Sequence, residues 1–189
     1  VINPYSTPAA TVQVKYLHAN GIEYTQNATV PGYARVTLIP PTMPAGSYSF
    51  SVSTTNGVPI VAERSMYTPS WKAGDNEIGT PTTSTLWRFA EGATNSPSFS
   101  GYLLLGNFTT TTANVTLTFR LENGATVRST TTVPARGRRT VTLGSIAGLV
   151  AAPFGIEVSS TNGIPIVAER SMFWPTPWVG VHTSMGRPY

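Results

Sequence analysis

From Ala10 to Leu17 the apolar residues Val12, Val14 and Tyr16 alternate with Thr11, Gln13 and Lys15, the period of two that marks a half-buried strand. Ile22 to Val30 reads as the return strand, Pro31 and Gly32 break it, and Ala34 to Ile39 follows with Val36 and Leu38 on one face. Pro40, Pro41 and Pro44 forbid ladder pairing before the alternation resumes at Ser47 to Thr54 through Tyr48, Phe50 and Val52. Asn56-Gly57 then supplies a tight-turn signal, so this stretch predicts strand, hairpin turn, strand, with the last running from Pro59 to Tyr67. Further along, Thr85 to Glu91, Ser98 to Leu105 and Ala113 to Leu121 also read as strands. One helical turn is expected, capped by Ser145 and running through Ile146 and Leu149.

The pattern occurs twice. VSTTNGVPIVAERSM at 52–66 returns as VSSTNGIPIVAERSM at 158–172, with 13 of 15 positions identical. Around it, Ala10–His18 matches Ala113–Leu121, Asn20-Gly21 matches Asn123-Gly124, and Val30-Pro31 matches Val133-Pro134. The chain therefore divides into two units, 1–80 and 81–189, joined by a Gly-, Pro- and Thr-rich linker from Thr68 to Ser84. Thr85–Glu91 and most of Ser98–Leu105 have no counterpart in the first unit, because Val1-Ile2-Asn3 aligns with the end of Leu103–Asn107. The expectation is a first unit that lacks its opening strands, in a window cut from a longer array. Preceding residues, or a strand lent by another subunit, then complete 1–80, which does not fold alone, whereas 81–189 does.

Composition narrows the setting. Only 11% of residues are charged, against roughly 25% in ordinary domains. Gly, Pro, Thr and Ser take their place, which suits an extracellular all-β protein with turns at short intervals. There is no cysteine, which excludes disulfides and thiolate metal sites. No apolar run is long enough for a membrane helix. The start at Val1, without a basic and apolar leader, reads as a processed end or a cut piece. Residues 1–80 hold four basic and four acidic side chains and 81–189 hold eight and four, so the net +4 belongs to the second unit. That is too weak a field to indicate nucleic-acid binding.

Candidate chemistry is sparse. Glu63-Arg64 and Glu169-Arg170 are the charges that recur within the repeated stretch, and a structural role is expected because glycoside hydrolysis needs a second carboxylate nearby. His18 and His182 lie in unlike contexts, which leaves no His cluster or triad, and no cofactor is expected. Asp75-Asn76-Glu77 is too poor in carboxylates for calcium and reads as a loop or cap. The rings Tyr67, Trp71, Phe173, Trp174 and Trp178 follow the repeated strands, either to seat one unit on the next or to stack on sugars. Arg128, Arg136, Arg138 and Arg139 form a basic cluster, a solvated edge or a contact for an anionic polymer. Asn27, Asn107 and Asn114 each head an Asn-x-Thr glycosylation triplet.

The phrases NGVPIVAERSMY and NGIPIVAERSMF, the connector STLWRFAEGAT, and GYLLLGN followed by ANVTLTFRLENG resemble a tandem repeat family of unknown function from large secreted bacterial surface proteins. The resemblance spans essentially the whole chain. It implies β-sandwich modules of about 100 residues, tandem copies and an extracellular address, and it brings no catalytic residues. The resulting expectation is all-β: two tandem antiparallel immunoglobulin-like sandwiches serving as a non-catalytic structural or adhesive element of a surface array or filament. The alternative is a carbohydrate-binding module. Partners are neighbouring modules or subunits of the same protein, or a cell-surface polysaccharide, with no nucleic acid and no membrane span.

Overall fold

The computed structural model describes residues 1–68, 71–95, 99–174 and 179–189. It is all-β with antiparallel pairing throughout, and no described residue is α-helical. The N-terminal half contributes β1 (Ile2–Asn3), β2 (Ala10–His18), β3 (Glu23–Val30), β4 (Ala34–Arg35), β5 (Tyr48–Thr54), β6 (Glu63–Tyr67) and β7 (Gly74–Ile78). The C-terminal half contributes β8 (Leu86–Ala93), β9 (Ser100–Asn107), β10 (Ala113–Leu121), β11 (Thr126–Val133), β12 (Gly137–Thr142), β13 (Pro153–Ser160), β14 (Val167–Trp174), β15 (Gly180–Met185) and β16 (Arg187–Pro188).

In the C-terminal half a five-stranded sheet, β11-β10-β13-β8-β16, faces a four-stranded one, β12-β9-β14-β15. Alternate residues of each sheet meet in one sandwich core: Trp87, Phe89, Leu117, Phe119, Ile156 and Val158 from the first, Leu103, Leu105 and Ala168 from the second, with Ile166 from the segment that crosses between them. Trp87 is fully buried, and its indole N–H reaches the carbonyls of Ser84 at 3.2 Å and Ile166 at 2.9 Å. That satisfies its one polar atom while the ring fills the space between the sheets.

The N-terminal half repeats part of this plan. β3-β2-β5 corresponds to β11-β10-β13, β1-β4 to the ends of β9 and β12, and β6-β7 to β14-β15. Its core is smaller, built on Ala10, Val12, Val14, Tyr16, Val30 and Val58. Among the described residues it has no counterpart of β8, and of β9 only the two residues of β1. This is why the strand expected over Ala34–Ile39 is laddered only at Ala34–Arg35: β12 pairs along six residues of β9, β4 along two of β1.

Three expectations need correction. The repeated stretch is not a hairpin, since β5 and β6 lie in different sheets, as do β13 and β14. Gly57 (φ 72°) and Gly163 (φ 76°) do take the left-handed conformation, but their preceding asparagines do not, so the turn is an arch that carries the chain from one sheet to the other. Each asparagine anchors its arch to the neighbouring strand entry. Asn56 accepts from the Thr11 N–H at 3.1 Å and donates to the Ala9 carbonyl at 2.8 Å. Asn162 accepts from Asn114 N–H at 2.9 Å and donates to Thr112 O at 2.8 Å. The expected helical turn is instead a 3-10 turn at Leu143–Ser145, in which Ser145 donates back to the Thr142 carbonyl and so caps nothing. Within the expected linker, Gly74–Ile78 forms a strand paired with β6.

Asn162→Ala removes both halves of the anchor and is expected to cost about 1–2 kcal/mol, with Asn162→Asp, which keeps the acceptor, costing less. Urea denaturation of the two variants measures the difference.

Candidate functional site

The residues that unite the two repeated stretches lie along a seam where β7 runs beside β15. β15 is an edge strand, so the N–H groups of alternate residues point away from β14. Along β7 the burial alternates, with Asp75 and Glu77 turned inward and Gly74, Asn76 and Ile78 exposed. The Asp75 carboxylate accepts the Thr183 N–H at 2.5 Å and also the Thr183 hydroxyl, and the Met185 N–H near Glu77 favours the charged form of its carboxyl. Two carboxylates spaced two residues apart thus face an edge strand whose outward donors have the same spacing.

A second row adds charge. Arg64 on β6 grips Glu169 on β14 through Nη2–Oε1 at 2.6 Å and Nη1–Oε2 at 3.3 Å, with the two side chains 25% and 15% exposed. Each repeated Glu-Arg pair thus gives one member to the seam, Arg64 from the first copy and Glu169 from the second. Arg170 instead turns into its own sandwich and donates to the Glu91 carbonyl on β8. Arg138 is half-buried beside the seam, where burial pulls its pKa down, Glu169 opposes the shift and Arg64 adds to it. At Gly106 an added Cβ would lie 2.9 Å from Ser49 Oγ and 3.3 Å from Ser49 Cβ of the other half, so the close approach there favours glycine.

The other sequence-derived sites are scattered. Tyr67 and Trp71, 57% and 78% exposed, stack on each other at 4.8 Å and tilted by 53°. Phe173 packs edge-on to Tyr102 at 5.8 Å, and Trp174 tilts against Phe99 at 4.9 Å. Trp178 lies outside the described residues. No aromatic pair among the described residues spans the two halves, while β7 and β15 run side by side between them.

The arginine cluster divides. Arg128 and Arg139 border an open depression of about 590 Å3 lined by Thr130, Thr140 and Ser145, and Arg136 is exposed, whereas Arg138 faces the seam. Adjacent strand residues point to opposite faces, which is the reason for the split. Asn107 cannot carry a glycan as it stands: it is fully buried, donates to Thr111 O at 2.8 Å and Val133 O at 3.2 Å, and accepts from Thr109 N–H at 3.0 Å. Asn27 and Asn114 are exposed. The Asp75 carboxylate, weighed above as a calcium ligand or a cap, is a cap.

No protein-family model matches the chain, and no curated protein does. Among solved structures it is similar to the crystal structure of Thermotoga maritima 1070, at 18% identity and a TM-score of 0.53 over 56% of this chain and 95% of that one. It is also similar to Anabaena sensory rhodopsin transducer, at 22% identity and a TM-score of 0.41 over 49% of this chain and 91% of that one. The first likeness concerns the fold alone.

Glu77 gives the seam a pH dependence. Burial raises its pKa above the ordinary 4.5, with the Glu169 and Asp75 carboxylates adding to the rise, while the Met185 N–H and Arg64 oppose it. A raised carboxyl pKa contributes stability below the unfolded value, and that contribution is lost as pH climbs through the folded value. Glu77→Gln is therefore expected to gain on the wild type as pH rises through that window. Melting temperatures of the two proteins between pH 3 and 7 check the sign.

Proposed function

We propose that the chain consists of two tandem immunoglobulin-like sandwich modules, 1–80 and 81–189, acting as a non-catalytic structural or adhesive repeat in an extracellular bacterial array or filament. The carrying observation is the seam: it joins copies of one repeated strand pair through unlike surfaces, Arg64, Asp75 and Glu77 on one side and Glu169, Thr183 and Met185 on the other. A contact of that kind suits modules held at a fixed angle along a chain. A half-length unit is supported by the solved structure that matches 56% of this chain with 95% of its own length. The hydroxyl-rich, cysteine-free composition and the repeat-family resemblance favour the extracellular setting.

If the seam fixes the angle, the double variant Arg64→Ala with Asp75→Ala gives a longer maximum dimension in small-angle scattering, while residues 81–189 keep their melting temperature. An unchanged scattering profile would remove the seam from this account. Antibody to the chain should also label intact cells of the encoding bacterium, and a purely cytosolic signal would end the extracellular reading.

One observation favours carbohydrate binding as the second reading: Tyr67 and Trp71 present an exposed aromatic pair. Their tilt of 53° is a poor platform for a flat sugar face, which is why the reading ranks second. A glycan array probed with the wild type and Trp71→Ala decides it, since sugar stacking requires binding that the substitution abolishes.

A further inference from the structure

The two halves differ most along one sheet edge. β13 is flanked on both sides, by β10 and β8, whereas β5, its counterpart, pairs with β2 alone among the described residues. We propose that the free edge of β5 is a docking slot for an extended strand of the β8 pattern, Leu-Trp-Arg-Phe, from another unit built on this repeat. The inference rests on the modular reading above and names the partner of its first module.

The register is fixed by the repeat. Leu86, Trp87, Arg88 and Phe89 lie opposite Ser159, Val158, Glu157 and Ile156. At the repeat offset those partners become Ser53, Val52, Ser51 and Phe50. The apolar side chains show the vacancy: Phe154, Ile156 and Val158 are at most 4% exposed under β8, while Phe50 is 37% exposed and Tyr48 and Val52 are only half-buried.

The backbone agrees with the side chains. The Ser160 N–H donates to Thr85 O at 2.8 Å, and Ser84 and Ile166 exchange two backbone hydrogen bonds, of 3.0 and 2.9 Å. Their counterparts Thr54 and Ile60 make no such bonds among the described residues. The Ile166 carbonyl that holds the Trp87 indole corresponds to the carbonyl of Ile60. An incoming strand thus meets outward N–H groups at alternate positions of β5, an apolar strip centred on Val52 and Phe50, and a carbonyl placed for an indole.

One difference sharpens the specificity. Arg88 pairs with Glu157 at 3.0 Å, but β5 offers Ser51 at that position. The slot therefore selects the tryptophan and is indifferent to the arginine.

The test uses the full chain and a twelve-residue peptide with the sequence of Ser84 to Asn95, followed by site-resolved amide hydrogen exchange. The peptide is expected to slow exchange at Phe50, Val52, Thr54 and Ile60 saturably and to leave Ile156 and Val158 unchanged. Trp87→Ala in the peptide is expected to weaken binding at least about tenfold, and Arg88→Ala to leave it within about twofold. Four results overturn the proposal. The β5 amides are already as slow as those of β2 in the free chain; they slow with protein concentration alone, which means a second copy closes the edge; the peptide leaves them unchanged at millimolar concentration; or a scrambled peptide protects them equally. None of these bears on the scattering test of the seam, so the two readings fail separately.

Discussion

Both halves depend on a chain that leaves one sheet and enters the facing one within a few residues. At that crossing the backbone has no ladder partner, and the strand entries beside it, at Thr11 and Asn114, have N–H groups beyond the last rung of theirs. An asparagine side chain offers a donor and an acceptor on one planar group, so Asn56 and Asn162 satisfy the strand entry and hold the arch against it in a single step. The glycine that follows takes the left-handed conformation that reverses the chain. Beyond it, Val58 is buried in the first half and Ile166, two positions further along the repeat, in the second. The near identity of the two stretches follows from these demands: arch, anchor and first inter-sheet contacts occupy consecutive residues, and each constrains the next.

Identical residues nevertheless find different partners. Arg170 donates to a carbonyl of β8, while Arg64, at the same place in the repeat, has no β8 beside it and reaches Glu169 of the other half. Asn3 and Asn107, by contrast, repeat their backbone contacts, each donating to the end of the neighbouring strand at Val30 or Val133 and accepting the N–H two residues on, at Tyr5 or Thr109. The distinction is one of range. Contacts made within the arch and its flanking strands recur with the sequence, whereas contacts that need a strand from outside the repeated stretch depend on which strands are present.

The same distinction explains how much could be read from the sequence. Period-two alternation located β2, β3, β5 and β10 to within a residue or two, and Asn123-Gly124 marks a true hairpin between β10 and β11. Asn56-Gly57 carries the same signature and makes an arch, because the dipeptide specifies a tight reversal but not whether the strands it joins pair with each other. β7 escaped notice since its inward residues are carboxylates rather than apolar side chains, buried against edge N–H groups that no local pattern reveals. The seam pairs Arg64 with Glu169 across 105 residues, beyond the reach of any spacing rule. The division of the arginine cluster was available in principle, because Arg138 and Arg139 are adjacent in a strand and must face opposite ways.

The seam also has a direction. β15 donates edge N–H groups toward the accepting carboxylates of β7, which works because both follow the two-residue period of a strand. At the repeat positions of Asp75 and Glu77 the second half carries His182 and Ser184. A hydroxyl or an imidazole nitrogen can accept a hydrogen bond, but neither brings the fixed negative charge that makes a carboxylate-to-amide bond strong. β15 therefore offers donors to β7 without carrying comparable acceptors of its own. The surfaces on the two sides of the contact are unlike and cannot exchange roles, which makes the contact heterologous and rules out a two-fold axis through the seam.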